Sequence, residues 1–179
     1  PVTSIGEFMA LLRARPGQFD YASTGAGGSG HLASELFRIM TGIRANHIPY
    51  KGTGQAVTAV LAGEVHFLLA TIGASMPHVR SGRLRAHAVT GERRSVLAPE
   101  LPTLAESAVP GYAAATWYGV LAPRGTPAAI IGLLNREIVD ALRGGEFLER
   151  IAAQGSEPVS STPEAFSAFV RDEIAKWSR

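Results

Sequence analysis

Apolar and polar positions switch repeatedly between a helical and an extended period along this chain. In "TSIGEFMALLRARP" the apolar residues at 5, 8, 9, 11 and 12 share a helical face. Thr3 or Ser4 can cap this helix and Pro16 stops it. "FDYAS" reads as a short strand. Leu32, Leu36, Ile39 and Met40 mark one face of a helix over "HLASELFRIMTG", ended by Gly42. "ANHIPY" is a second strand, and "TGQAVTAVLAGE" a helix between Thr53 as N-cap and Gly63 as terminator. "VHFLLAT" is almost wholly apolar, as a strand covered on both faces should be. "ASMPHVRSG" predicts a short helix and "LRAHAVTG" a fourth strand. Residues 91–112 hold Pro99, Pro102 and Pro110 and read as loop, with one helical turn at "TLAESA". "AATWYGVLAP" predicts another strand. Three helices close the chain: "TPAAIIGLLNREIVDALRGG" with Pro127 in its first turn, "FLERIAAQG", and "STPEAFSAFVRDEIAKWSR" behind Thr162 and Pro163.

Strands alternating with helices specify an α/β fold with a largely parallel sheet flanked by helices. The character of the chain changes near 91–116, where Pro, Gly and polar residues collect. A β-α-β lobe precedes that boundary, and one strand with three helices follows it. The second piece has too few strands for a sheet of its own.

Composition narrows the function classes. At 179 residues the chain suits one large domain or two small lobes, and 46% apolar with 18% charged residues is globular. The net charge is only +2 and the basic residues are dispersed, so no nucleic-acid surface is expected. The absence of cysteine excludes disulfides, thiolate metal sites and cysteine nucleophiles. No apolar run reaches the roughly 18 residues of a membrane span. A chain that opens on Pro1 reads as a mature product or a piece of a longer protein.

The chemistry concentrates in "YASTGAGGSGHLASELF". Gly25, Gly27 and Gly30 spell G-x-G-x-x-G, the dinucleotide fingerprint. Such a site also needs an apolar first strand and an acid at the end of the next strand. Here the first strand carries Gln18 and Asp20, and no acid stands between Glu35 and Glu64. Lys51 in that place would suit NADP, so an NADP-binding domain of an oxidoreductase remains an alternative. The physics of the turn is more general. Gly25, Gly27, Gly28 and Gly30 allow close backbone approach, and Ser23, Thr24 and Ser29 add hydroxyls. The following helix offers free N–H groups and its positive end, which suit a carboxylate as well as a phosphate. The bland alternative is a connection in which Ser29 only caps a helix. "PYKGTGQA" repeats the device after the second strand. Two such turns at the ends of neighbouring parallel strands would face one crevice.

No catalytic apparatus can be nominated. "GGSGH" has His31 where a nucleophile elbow needs glycine. The five histidines, 31, 47, 66, 78 and 87, have no metal-ligand spacing. The carboxylates gather on the C-terminal helices as solvated faces, so no metal, cofactor or acid–base pair is assigned.

"FDYASTGAGGSGHLASELFRIMTGIRANHIPYKGTGQAVTAVLAGEV" resembles the Bug/TctC-type substrate-binding proteins of tripartite tricarboxylate transporters. The likeness continues through "MPHVRSGRLRAHAVTGERRSVLAPELPTLAESAVPGY" and "TWYGVLAPRGTPAAIIGLLNREI" to "GSEPVSSTPEAFSAFVRDEIAKW". The resemblance implies a type II periplasmic-binding-protein fold that captures a small carboxylated solute in a cleft and delivers it to membrane permease subunits. It implies that 1–113 form the second lobe and that 114–179 return to the first lobe, incomplete here. It places ligand contacts at Ser23, Thr24, Gly25, Gly27, Gly28, Ser29, His31, Tyr50, Lys51, Gly52 and Thr71. The chain departs from the pattern in "HFLLATIGAS", where His66, Ala70 and Thr71 replace two acids and an amide. Gly28 and Gly30 stand where Ser and Pro are common in the family. A further alternative is a truncated chain that binds nothing and survives as a homodimer through its orphaned strand and helices.

Overall fold

The computed structural model describes residues 2–178. The chain divides into two compact units, Pro1–Trp117 and Tyr118–Arg179.

The first unit is built on a parallel three-stranded sheet. Its elements run α1 (Ile5–Ala14), β1 (Asp20–Ser23), α2 (Ser29–Thr41), β2 (Asn46–Pro49), α3 (Thr53–Leu61), β3 (Phe67–Leu68), α4 (Ile72–Arg80) and α5 (Leu104–Ser107). Strand β1 is central, in the order β2-β1-β3. It pairs with β2 from Asp20–Asn46 to Ser23–Pro49, and with β3 at Tyr21–Phe67 and Ala22–Leu68. A central strand must be covered on both faces, and Tyr21, Ala22 and Ser23 are all buried. Met9 and Leu12 of α1, Ala33 and Phe37 of α2, and Ala56, Val57 and Ala59 of α3 bury the apolar faces of their helices. Tyr112 is buried too, and its hydroxyl donates to the Ala33 carbonyl at 2.8 Å.

The helix ends follow their sequence signals, with two shifts. Ser4, not Thr3, caps α1 and accepts from the Glu7 amide. The Thr3 amide and hydroxyl instead donate to the Glu7 carboxylate, at 2.7 and 2.8 Å. Gly42 ends α2 with a left-handed φ of 69°. The expected caps at Ser29 and Thr53 move one residue back, to Gly28 and Gly52. Each hydroxyl residue then opens its helix, and neither helix has a side-chain cap bond.

Three strand expectations change. "VHFLLAT" contracts to Phe67–Leu68. "LRAHAVTG" holds only a single bridge, Val89 to Thr103. "AATWYGVLAP" forms no strand among the described residues. Ala114 donates to Thr90 at 2.8 Å, but Tyr118 and Leu121 are 83% and 79% exposed. An apolar extended run becomes a strand only where a neighbouring backbone offers ladder partners, and among the described residues no ladder includes this run.

The second unit holds α6 (Ala128–Ala141), α7 (Gly145–Ala153) and α8 (Pro163–Trp177). Thr162 caps α8 by accepting from the Ala165 amide, and Pro163 takes the first position. No described residue of these three helices is buried. Within the unit, the Phe166 ring lies over Gly119 and leaves no room there for a Cβ.

Candidate functional site

Each strand of the sheet runs at its carboxyl end into a turn and then a helix. Parallel strands put those three turns at one edge, the edge where open α/β sheets bind ligands. The Tyr50 amide donates to the Ser23 carbonyl at 2.9 Å, which fixes the second turn beside the first. Gly30 brings the start of α2 against the end of β3, since a Cβ there would lie 2.7 Å from the Leu69 carbonyl oxygen. The third glycine of the pattern therefore serves helix–strand approach, its usual role in such turns.

The first turn is shaped by backbone that side chains resist. Gly25 and Gly27 have φ of 119° and 77°. Several of its amides are used internally. The Gly25 amide donates to Ser23 Oγ at 3.2 Å, and the Gly28 amide to the Gly25 carbonyl at 3.2 Å. The Gly27 amide donates to His31 Nδ1 at 3.1 Å. The first helical bond of α2 is Leu32 to the Gly28 carbonyl, at 3.0 Å. The amides of Ser29, Gly30 and His31 precede it and so lack a helical acceptor. They lie at the positive end of a 13-residue helix whose N-cap, Gly28, has no side chain to offer them.

The second and third turns are similar. Gly52, with φ of 110°, caps α3 without a side-chain bond. The Lys51 amide donates to Gln55 Oε1 at 3.1 Å, and Lys51 itself is exposed. Tyr50 packs partly against the cluster of Ala22, Ala56, Ala59 and Val65. Thr71 is the N-cap of α4 but makes no side-chain cap bond. Its carbonyl accepts from Ala74 and Ser75.

A polar cluster supports the first turn from behind. Ser23 is buried, and its Oγ pairs with His47 Nε2 at 2.6 Å. The His47 ring stacks on Tyr21 at 5.0 Å and on His31 at 4.2 Å between centroids. The Tyr21 hydroxyl donates to Glu35 Oε1, and Arg38 donates to both Glu35 oxygens at 2.6 and 2.7 Å. Burial would raise the Glu35 carboxyl, but the Tyr21 hydroxyl and the Arg38 guanidinium outweigh it and hold it low. Burial is also the main cause that depresses His47, followed by the charge of His31. It raises the Tyr21 phenol, with help from Glu35.

The sequence expectation therefore falls into two groups. Thr24, Gly27 and Ser29 are exposed in the first turn, as are Lys51 and Thr71 in the other two. Gly25, Gly28, His31, Tyr50 and Gly52 are half-buried between them. Ser23 stands apart, because its hydroxyl is committed to Gly25 and His47. His47, Tyr21 and Glu35 did not stand out in the sequence. They lie on three different elements, and only the strand register and the helix phase bring them together. Among the described residues, no group of three or more metal-ligating side chains is found.

All of residues 1–179 match the profile of the tripartite tricarboxylate transporter family receptor. Protein BugT of Bordetella pertussis is 42% identical over 175 residues, which is 98% of this chain and 54% of that protein. A Pseudomonas protein from the tcbD-tcbE intergenic region is 33% identical over 98% of this chain and 52% of its own length. The chain thus spans about half the length of the curated relatives it matches. Among solved structures, R. palustris Rpa4515 with adipate superposes with a TM-score of 0.88 at 36% identity, over 99% of this chain and 60% of that one. MatC of Rhodopseudomonas palustris with bound malate gives a TM-score of 0.82 at 26% identity, over 99% and 60%. The parallel sheet, its three turns and the match along the whole sequence agree: this chain belongs to the tripartite tricarboxylate transporter receptor family.

Proposed function

We propose that the chain supplies the anion-capturing lobe of a non-catalytic solute receptor. One contrast within the first unit carries this reading. Helices α1 and α5 are capped by Ser4 and Thr103, whereas α2, α3 and α4, which follow the three strands, have no side-chain cap bond. An N-terminus left without a capping oxygen is open to an external one.

The solute is a small carboxylate, as the adipate and malate of the two solved relatives suggest. The Ser29, Gly30 and His31 amides receive the carboxylate, with Thr24 and Ser29 hydroxyls beside them. Lys51 and Thr71 border the anion from the second and third turns, with the Tyr50 ring and Gly52 between. Gly25, Gly27 and Gly28 shape the approach, and Ser23 braces it from inside. Residues 1–113 are then one lobe, and 114–179 contribute an extended segment and helices to the other. The remaining part of that other lobe corresponds to the half of the relatives' length that this chain does not span. Delivery to membrane permease subunits in the periplasm completes the proposal.

The test is an NMR titration of the chain with malate and adipate. Amide shifts centred on 29–31 are expected, and NADPH should cause none there. Carboxylate shifts confined to other residues would remove this site from the reading.

A further inference from the structure

We propose that His31 is a proton-operated latch on the glycine turn, so that solute capture takes up a proton. The inference rests on the capture reading above and adds how that site is controlled.

The tautomer of His31 follows from its contacts. Nδ1 accepts from the Gly27 amide at 3.1 Å, so the neutral ring carries its proton on Nε2. Nε2 lies 4.0 Å from Glu35 Oε1. Protonation places a second N–H on Nδ1, directly facing the Gly27 N–H. Two donors cannot share that contact, and the latch opens. The Gly27 amide joins those of Ser29, Gly30 and His31, and the imidazolium adds positive charge at the helix end. Neutral His31 does the reverse and keeps the turn closed on itself.

Charged and titratable groups surround the ring. Glu35 on α2 faces Nε2 and is ionised, held low by Tyr21 of β1 and by Arg38. His47 of β2 stacks on the His31 ring at 4.2 Å, so a second proton there would put two cations in contact. Arg38 gives two bonds to the same carboxylate and keeps its own positive charge beside the cluster. A proton on His31 would therefore add positive charge between the Glu35 carboxylate and the ligand anion. Apparent affinity falls with the fraction of protein in the competent state. Histidine changes charge across this range, so malate should bind about tenfold more tightly near pH 6 than near pH 8.

The experiment has a part with ligand and a part without. In the chain alone, the Gly27 amide resonance should follow pH with the same midpoint as the His31 ring carbons. A Gly27 amide that ignores the His31 midpoint overturns the latch. With malate, affinity at the 29–31 amides should rise about tenfold between about pH 8 and about pH 6. His31→Gln offers an acceptor that takes no proton and should flatten this dependence. Equal affinity at both pH values in the parent, or an undiminished slope in His31→Gln, overturns the proposal and leaves the capture reading standing. Malate that moves none of these amides at either pH fells the capture reading and proton uptake with it. The ligand-free titration of Gly27 then tells which part failed.

Discussion

Gly30 and Leu69 stand so close that a single methyl group on residue 30 would lie 2.7 Å from the Leu69 carbonyl oxygen. The neighbour is backbone at the end of β3, which cannot rotate away. Gly30→Ala must therefore push α2 off the sheet. A loss of about 1–3 kcal/mol is expected from such overpacking, read as a lower urea midpoint. An unchanged midpoint would show that α2 is free to slide.

Gly27→Val separates binding from folding. No atom lies within 4 Å of a Cβ at this position, so nothing clashes. The cost is the φ of 77°, which a β-branched residue resists by roughly 1–2 kcal/mol. The first unit should stay folded by circular dichroism while malate no longer shifts the 29–31 amides. A variant that retains parental malate affinity would dissociate Gly27 from the site.

Acid should loosen the first unit through two histidines. His87 stacks on Phe8 at 5.8 Å, and its Nδ1 is buried without a hydrogen-bond partner. Burial above all, and then Arg85, depress its pKa; His47 is depressed by burial and then by His31. For both, the unfolded chain takes the proton first as pH falls past about 6.5. Their stability contribution is therefore complete above that pH and is lost below it, down to the folded pKa. His87→Phe keeps the ring stack and has no proton to gain. Its melting temperature should fall less than the parent's between about pH 7.5 and about pH 5.5. Parallel curves would show that His87 is not part of the acid response.

Tyr112 ties the end of the first unit to α2. Its buried hydroxyl donates to the Ala33 carbonyl at 2.8 Å. Tyr112→Phe removes that bond, and a typical loss is about 0.5–1.5 kcal/mol. The Ala33 carbonyl keeps its helical partner four residues on, so the lower end of the range is expected in urea unfolding. A loss well above the range would mean that the ring also shifts.

Much of this architecture can be read from the chain because its punctuation is local. Gly42 after an amphipathic run, Thr162 before Pro163, and the glycines between "YAS" and "HLA" announce their turns within a few residues. The glycines and hydroxyls of "STGAGGSGH" mark the candidate turn for the same reason. What escapes local reading depends on partners distant in sequence. "AATWYGVLAP" has the apolarity of a strand, yet pairing is not a property of one segment. The expected caps at Ser29 and Thr53 miss by one residue, because Gly28 and Gly52 already hold the turn conformation. His31 and His47 lie sixteen positions apart on different elements, and no spacing rule anticipates their stack. The buried commitment of Ser23 to His47 is hidden for the same reason.

Gly28 also sets fitness against robustness. Its φ of −69° is open to every residue type, and the main obstacle to a Cβ is the rotatable Thr24 hydroxyl at 2.8 Å. An aspartate at that place would give α2 the cap it lacks and make the lobe sturdier. On the proposed capture reading it would also install a permanent, covalently attached carboxylate where a visiting one is received. Screening for heat resistance alone would drift toward that substitution and yield a turn permanently occupied by itself.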